Sequence, residues 1–272
     1  MKRIFYYSAM IAAALTMVWG CGSSKDDPDE LETASSWVKT MGNADKWVVD
    51  WSGNDAKPTW TAPDPRSFES WMILMVNLQE ALSLYSSSDD LMAVTINDEV
   101  RAVASPAISL ANSREVSFIL KILGNEQADQ RVEMTLNYYC SKLHRVFILK
   151  GTQYFVPEFV YGVDQTYMPN LLSGCSSYPV NMHVSFHLPQ TAQEQLQPQL
   201  GDLLAVFVGD ECRGVATIDE HLFVIPIGMT VYGRQEGEIG TLYYYNAQEN
   251  TVWNTKQSVT ITASEQSFEV AF

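Results

Sequence analysis

Apolar and polar residues alternate along several segments of the chain, and the clearest case lies between positions 180 and 188. Every second residue there is apolar, and the residues between them are polar. The apolar residues are Val180, Met182, Val184, Phe186 and Leu188, and the polar residues are Asn181, His183, Ser185 and His187. Because successive side chains of a β-strand point to opposite faces, this pattern predicts a strand with one buried and one solvated face.

A second pattern, at residues 203–217, predicts a β-hairpin. The apolar run Leu203–Val208 is followed by Gly-Asp-Glu and then by a second run, Cys212–Thr217. Gly209 can adopt the left-handed backbone angles that a tight turn needs. Similar patterns predict strands at 116–122, 132–139, 145–149, 222–227, 239–245, 251–253 and 258–262, and the only helical pattern lies around 79–84.

The chain contains this pattern twice. Residues 90–104 and 202–216 align without gaps and are identical at nine of 15 positions. Asn97 stands where the second copy has Gly209, and Asn tolerates left-handed angles better than most residues. The similarity continues in both directions: Phe68, Met72, Leu74, Val76 and Leu78 match Tyr178, Met182, Val184, Phe186 and Leu188; Phe118, Leu120 and Ile122 match Phe223, Ile225 and Ile227; Leu136, Tyr138, Val146 and Phe147 match Leu242, Tyr244, Val252 and Trp253.

About seven short strands per copy, separated by turns, are typical of an antiparallel β-sandwich. We therefore predict an all-β protein made of two tandem immunoglobulin-like antiparallel β-sandwich domains. The predicted boundaries are 1–20 for a signal peptide, 21–57 for a lipidated flexible tether with a Trp-rich lead-in, 58–165 for the first sandwich, 166–177 for a linker and 178–272 for the second sandwich.

The composition narrows the function classes. The 272 residues are 46% apolar and carry a formal net charge of −15. A chain of this length and apolar content can bury one or two cores. Binding to nucleic acid needs clustered Lys and Arg, which the chain lacks, so we expect no nucleic-acid partner.

The N-terminus predicts export. Lys2 and Arg3 precede an uncharged, apolar stretch that ends at Gly20, and Cys21 follows a small residue. Val18-Trp19-Gly20-Cys21 resembles the lipobox of bacterial lipoproteins, although Trp19 is bulkier than the usual residue. The resemblance implies cleavage before Cys21 and acylation of its thiol, which anchors the protein to a membrane. An ordinary secretory signal or a membrane-spanning helix are the alternatives.

The residues after Cys21 indicate where the anchored protein is displayed. Lys25 is followed by acidic residues, and this resembles the surface-export signal of Bacteroidetes-type lipoproteins; an ordinary acidic tether is the alternative. Without residues 1–20, the chain has 15 basic and 32 acidic residues, a net charge of −17. Anionic membrane surfaces repel such a protein, so the acyl chains must provide the anchor.

A resemblance to a protein family agrees with the predicted location on the cell surface. The repeated pattern Asp-x-Leu-x-Ala-x-x-x-Gly-Asp-Glu-x-Arg-Gly-Val-Ala, together with residues 60–65 and 68–72, resembles a repeat module of Bacteroidetes-type surface lipoproteins. It covers nearly all of the chain after Cys21, and the first copy departs from it with Asn97 and Ala102 in place of Gly. The resemblance implies fold and location, and no activity.

The duplicated turn is one candidate site. It consists of Asp98, Glu99, Arg101, Asp210, Glu211 and Arg213. It is either a binding corner that was built twice or a structural hairpin in which each arginine pairs with Asp90 or Asp202. Acidic residues favour turn geometry, so the structural interpretation is preferred.

Four tryptophans, Trp47, Trp51, Trp60 and Trp71, are the candidate binding residues. Trp71, Ile73 and Met75 occupy the strand face that carries Asn181, His183 and Ser185 in the second copy. An apolar face must be covered or must bind a partner. Either Trp47, Trp51 and Trp60 fold back over it, or the aromatic residues form a platform for a glycan or a protein.

Catalytic and metal sites find little support. No Gly-x-Ser-x-Gly, His-Glu-x-x-His or phosphate-binding glycine motif occurs. His183 and His187 would lie roughly 13 Å apart on a strand, too far to share a metal ion, so no metal or cofactor is expected. Cys140, Cys175 and Cys212 remain after Cys21, and a Cys140–Cys175 disulfide is left open.

The sequence therefore predicts a lipid-anchored outer-membrane protein, displayed on the extracellular face, that serves as a non-catalytic binding or scaffold protein. A glycan-binding surface lipoprotein that uses the N-terminal aromatic residues is the alternative, and an enzyme is a more distant one. The expected partners are the membrane, through Cys21, and a protein or a glycan.

Overall fold

The computed structural model describes residues 37–107, 115–219 and 226–269. The predicted signal peptide, the lipobox with Cys21 and the export signal lie outside the described residues. The strands are β1 (Val38–Met41), β2 (Ser70–Asn77), β3 (Leu91–Ile96), β4 (Glu99–Ala104), β5 (Ser117–Gly124), β6 (Glu133–Cys140), β7 (Arg145–Tyr154), β8 (Phe159–Tyr161), β9 (Val180–His187), β10 (Leu203–Val208), β11 (Glu211–Thr217), β12 (Ile227–Gly233), β13 (Ile239–Asn246), β14 (Thr251–Thr260) and β15 (Gln266–Glu269). The helices are α1 (Glu80–Ser83) and α2 (Gln190–Leu196), and 3₁₀ turns occur at Pro65–Ser67, Ala128–Gln130 and Leu171–Gly174.

The same strand order occurs twice. The first half (β2–β8) contains the sheets β5-β2-β8 and β4-β3-β6-β7, and the second half (β9–β15) contains β12-β9-β15 and β11-β10-β13-β14. β1 extends the last of these sheets along β14. The strand pairs are antiparallel except that β8 and β15 run parallel to β2 and β9. The predicted all-β class is confirmed. In each half the first strand pairs with the fourth and seventh, whereas an immunoglobulin domain pairs its first strand with its second.

The strand registers place the repeated residues at equivalent positions. Val94 pairs with Leu136 in the first half, and Val206 pairs with Leu242 in the second. Tyr138 opposite Phe147 matches Tyr244 opposite Trp253. The helices α1 and α2 follow β2 and β9, so they are equivalent as well.

One predicted strand differs from the structure. Of the predicted strand 222–227, positions 222–225 lie outside the described residues, and the observed strand is β12, at Ile227–Gly233. Val231 pairs with Met182 as Ile122 pairs with Met72, so Ile227, Met229 and Val231 are the equivalents of Phe118, Leu120 and Ile122. Apolar residues occupy every second position from Phe223 to Val231, so the alternation alone does not fix where this strand begins.

Other element boundaries also differ. The two strands predicted at 251–253 and 258–262 fall in one strand, β14, which continues through the polar residues 254–256. The short parallel strands β8 and β15 and the helix α2 were not predicted. Residues 38–41, assigned to the tether, pair with β14. Neighbouring Trp37 and nearby Trp47 are buried, and this burial holds the segment in place.

The inner faces of the sheets form two apolar cores, which are linked. In the first half the core contains Met72, Leu74, Val94, Phe118 and Tyr138, among others. The second core is built on Met182, Phe186, Val206, Val231 and Tyr244. The first core continues through Trp47 and Trp51 to Ala205, Cys212 and Tyr232 of the second half. Ser35–Phe272 is accordingly one compact unit, and the predicted domain boundaries within it remain predictions.

Candidate functional site

Two buried arginines occupy equivalent positions in the two halves, and a β-bulge places each of them. The β3–β4 register shifts after Val94, which leaves Arg101 as the extra residue. The β10–β11 register shifts after Val206 and leaves Arg213. A bulge redirects a side chain away from the regular alternation. The guanidinium groups consequently reach beyond their own sheet, toward the residues that follow β5 and β12.

Each guanidinium is held by a carboxylate and a backbone carbonyl. Arg101 donates to the carbonyl of Leu123 at 3.1 Å and to Glu126 at 2.8 and 3.3 Å. The equivalent contacts of Arg213 are with the Tyr232 carbonyl at 3.3 Å and with Glu238 at 3.3 and 3.4 Å.

An aromatic ring completes each arginine site. The guanidinium carbon of Arg101 lies 4.9 Å from the ring centre of Phe68, and that of Arg213 lies 5.1 Å from the ring centre of Tyr178. Such contacts are attractive because the ring face carries partial negative charge. The predicted pairing of these arginines with Asp90 and Asp202 is wrong, and the contacts indicate a structural role for both arginines.

Asp90 and Asp202 are fully buried and form a second duplicated network. Asp90 accepts hydrogen bonds from the Tyr138 hydroxyl at 2.8 Å and from the backbone N–H of Ser87 and Ser141. Burial, followed by the nearby Cys140 and Asp90, raises the pKa of Tyr138 well above its usual value. These hydrogen-bond donors therefore offset the free-energy cost of burying the carboxylate of Asp90.

The second half repeats this arrangement with different neighbours. Asp202 accepts from the Tyr244 hydroxyl and from the backbone N–H of Gln199 and Ala247, the latter two at 2.8 Å. Burial is again the main cause that raises the pKa of Tyr244, and the hydrogen bond to Asp202 adds to it. Ser87 and Gln199 are therefore equivalent donors in the two halves, and so are Ser141 and Ala247.

The acidic residues of the two turns are exposed. Asn97 and Asp98 both have left-handed backbone angles, with φ of 49° and 63°, whereas in the second turn Gly209 has φ of 59° and Asp210 is not left-handed. Glu99 and Glu211 lie 3.2 and 3.0 Å from the arginine of their own hairpin. The turns therefore present no converging set of functional groups, and the binding-corner interpretation receives no support from the geometry.

Trp47 and Trp51 are buried, which contradicts their assignment to a glycan platform. They are 7% and 6% exposed. The ring of Trp47 lies 5.7 Å from Phe207 and 5.8 Å from Tyr245, so it covers the outer face of the second half's larger sheet. Of the two alternatives that the sequence left open, a cover is correct for Trp47, but the face that it covers is not that of Trp71, Ile73 and Met75.

Trp51 lies between the two halves. Its ring is 6.4 Å from Phe147 of the first half, 5.6 Å from Tyr178 and 4.7 Å from Tyr232 of the second half. Such edge-to-face pairs are favourable and bury large apolar area. Trp51 therefore joins the two cores, and only 6% of its surface is exposed.

The outer face of β2 remains partly open. Trp71, Ile73 and Met75 are half-buried, as is Trp60. Met75 pairs with Ile119 on β5 and Ile73 pairs with Val160 on β8, and these neighbours are 56% and 45% exposed. We call Trp71, Ile73, Met75, Ile119 and Val160 the apolar strip. The equivalent face of β9 carries Asn181, His183 and Ser185, so the strip is specific to the first half.

The residues that line a polar cleft of about 660 Å³ include Asp50, Ser52, Asp55, Arg145 and Arg234. Its charged groups are occupied by structural contacts. Hydrogen bonds from Ser52 lower the pKa of Asp50, Arg145 donates to the carbonyl of Ser52, and Asp55 accepts from the backbone N–H of Val146. The lowered pKa favours the ionised form of Asp50.

The three described cysteines are buried and unbridged, so the structure contains no Cys140–Cys175 disulfide. Burial raises the pKa of the Cys140 thiol and raises the pKa of Cys212 to about 11. These thiols are therefore protonated at neutral pH and unreactive.

Comparisons with known proteins assign no family. No protein-family model matches the chain, and no curated protein matches it. A C-terminally truncated form of the tip fimbrial protein Mfa3 from Porphyromonas gingivalis is similar in structure, with 8% sequence identity and a TM-score of 0.28, over 70% of this chain and 81% of that one. In the part of the chain that the structure describes, no helix is long and apolar enough to cross a membrane.

Proposed function

We propose that this protein is a lipid-anchored, surface-displayed binding or scaffold protein without catalytic activity, and that it docks a protein partner on the apolar strip. The observation that carries the proposal is the strip itself. The second half has the same strand order but no such exposed apolar residues on the equivalent face. The fold therefore does not need the strip, and exposed apolar area of this kind is typical of a docking site.

The charge of the chain favours a protein over a membrane as the partner of the strip. Once residues 1–20 are removed, the net charge of −17 repels anionic lipid surfaces. Residues 70–75 lie on a central strand that is paired on both sides, so their positions are fixed before binding. A preformed apolar surface of this kind suits a protein partner, because little conformational entropy is lost on association.

Site-specific photo-cross-linking on intact cells tests the docking surface. A photoreactive amino acid at Ile119 should cross-link to a distinct protein, whereas the same amino acid at Gly228, its structural equivalent in the second half, should not. Gly228 has no atom within 4 Å of an added Cβ, so it tolerates the substitution. Ile119→Lys should abolish co-purification of the cross-linked protein; no product at Ile119, or equal products at both positions, would contradict the proposal.

The anchor and the location need separate measurements. Cys21→Ala should release the protein from the membrane fraction, because no acyl chain can then be attached. Protease added to intact cells should degrade the wild-type protein while leaving a periplasmic marker intact. Protection of the protein would refute surface display without bearing on the apolar strip.

A further inference from the structure

A polar cavity of about 540 Å³ lies in the second half, between α2, the β13–β14 turn and β1. Its volume falls within the range typical of small-molecule sites. Five side-chain amides line it, and they belong to Gln195, Gln197, Gln199, Asn246 and Gln248. We call this cavity the amide pocket.

Several of these amides have hydrogen-bonding capacity to spare. Gln195 and Gln248 are exposed, and their side chains make no hydrogen bond to the described residues. Asn246 is only 6% exposed; its Oδ1 accepts from the backbone N–H of Glu249 at 2.8 Å. Its Nδ2 donates to no described residue. An amide both donates and accepts hydrogen bonds, and so does a hydroxyl group.

The charged residues of the pocket neutralise each other. Lys39 Nζ lies 2.5 Å from Glu249 Oε2 and 5.0 Å from the ring centre of Trp253. The pocket therefore has no net charge and favours neither an anion nor a cation. Trp253 is half-buried and adds an aromatic surface beside the amides.

The fold does not require these residues, as the first half shows. The two buried aspartate networks align the halves, and at the positions of Gln199, Asn246, Gln248 and Glu249 the first half has Ser87, Cys140, Lys142 and Leu143. Phe147 is fully buried where Trp253 is half-buried.

We propose that the amide pocket binds a neutral saccharide. Its sugar hydroxyls would pair with the free donors and acceptors of Gln195, Asn246 and Gln248. The site shares no residue with the apolar strip, so it stands apart from protein docking. It also places glycan recognition away from the N-terminal tryptophans.

Glycan arrays test the proposal with the full-length protein in a zwitterionic detergent, which avoids sugar-based detergents. The array spans neutral and acidic glycans of plant, host and bacterial origin. Neutral glycans should bind, and saturation-transfer NMR with a binding disaccharide should show transfer to its ring protons. Absence of neutral hits, or selective binding of acidic glycans, would overturn the proposal.

Variants locate the site. Gln195→Ala and Gln248→Lys are surface changes, and the second introduces the residue of the first half; each should weaken binding by about 3- to 10-fold. Lys142→Gln in the first half is the matched control and should leave affinity unchanged. Both pocket variants should melt like the wild type. Unchanged affinity in them, or an equal loss in the control, would refute the pocket as the binding site.

Discussion

At the scale of single residues, the two buried aspartates show whether equivalent hydrogen bonds in the two halves contribute equally to stability. Tyr138→Phe and Tyr244→Phe each remove one hydroxyl donor from a buried carboxylate and leave the backbone donors in place. Each should lower the free energy of unfolding by about 1.5–3 kcal/mol, because hydrogen bonds to charged groups are strong. Urea denaturation measures both. A loss below ~0.5 kcal/mol in either variant would show that the hydroxyl contributes little.

Buried thiols and phenols should make the protein sensitive to alkali. Burial raises the pKa of Cys212 to about 11 and that of Tyr232 to about 12. Since these values lie above those of the unfolded chain, the native state is favoured fully at neutral pH, and stability is lost as pH rises from about 9 through 12.

A single substitution isolates the contribution of the thiol. Cys212→Val introduces the residue of the first half, Val100, and removes one titrating group. The unfolding free energy of this variant should fall less steeply between about pH 9 and 11 than that of the wild type. Identical slopes in denaturation series across this range would contradict a raised pKa of Cys212.

At the scale of elements, the two hairpin turns differ in a way that a glycine substitution reveals. Asp98 has φ of 63° and is exposed, whereas Asp210 is not left-handed. Asp98→Gly should stabilise the protein by ~0.5–1 kcal/mol, because Gly adopts left-handed angles without strain and Asn-Gly is a preferred hairpin turn. Asp210→Gly should give no gain. Thermal denaturation compares the two, and an equal effect would contradict the difference in turn conformation.

The repeat could be predicted because its strands alternate regularly, whereas the exceptions to alternation could not. A bulge turns Arg101 toward Glu126, and no local pattern marks a bulge in advance. The bounds of β12 could not be predicted because apolar residues occupy every second position from Phe223 to Val231, so the alternation does not show where the strand begins. The amide pocket combines residues from three distant segments, so only the folded chain brings them together.

At the scale of the whole molecule, the contact between the halves was beyond sequence reasoning. The burial of Trp47 and Trp51 depends on Phe207, Tyr232 and Tyr243, which lie more than 150 residues away in the chain. From the sequence alone, an aromatic residue in the segment before the first sandwich can either cover an apolar sheet face or form a binding surface. The packing between the two halves buries both tryptophans, so they cover apolar surface.

Trp51 should therefore control how the two halves unfold together. Trp51→Ala removes the ring between Phe147 and Tyr232, and it should lower the unfolding free energy by about 3–5 kcal/mol. Because this ring joins the two cores, the variant should also show two resolved transitions in scanning calorimetry where the wild type shows one. Trp60→Ala, at a half-buried site outside both cores, is the control and should cost less and keep a single transition. A single transition in both variants would mean that the halves are coupled mainly by other contacts, such as those of Trp47 with Phe207.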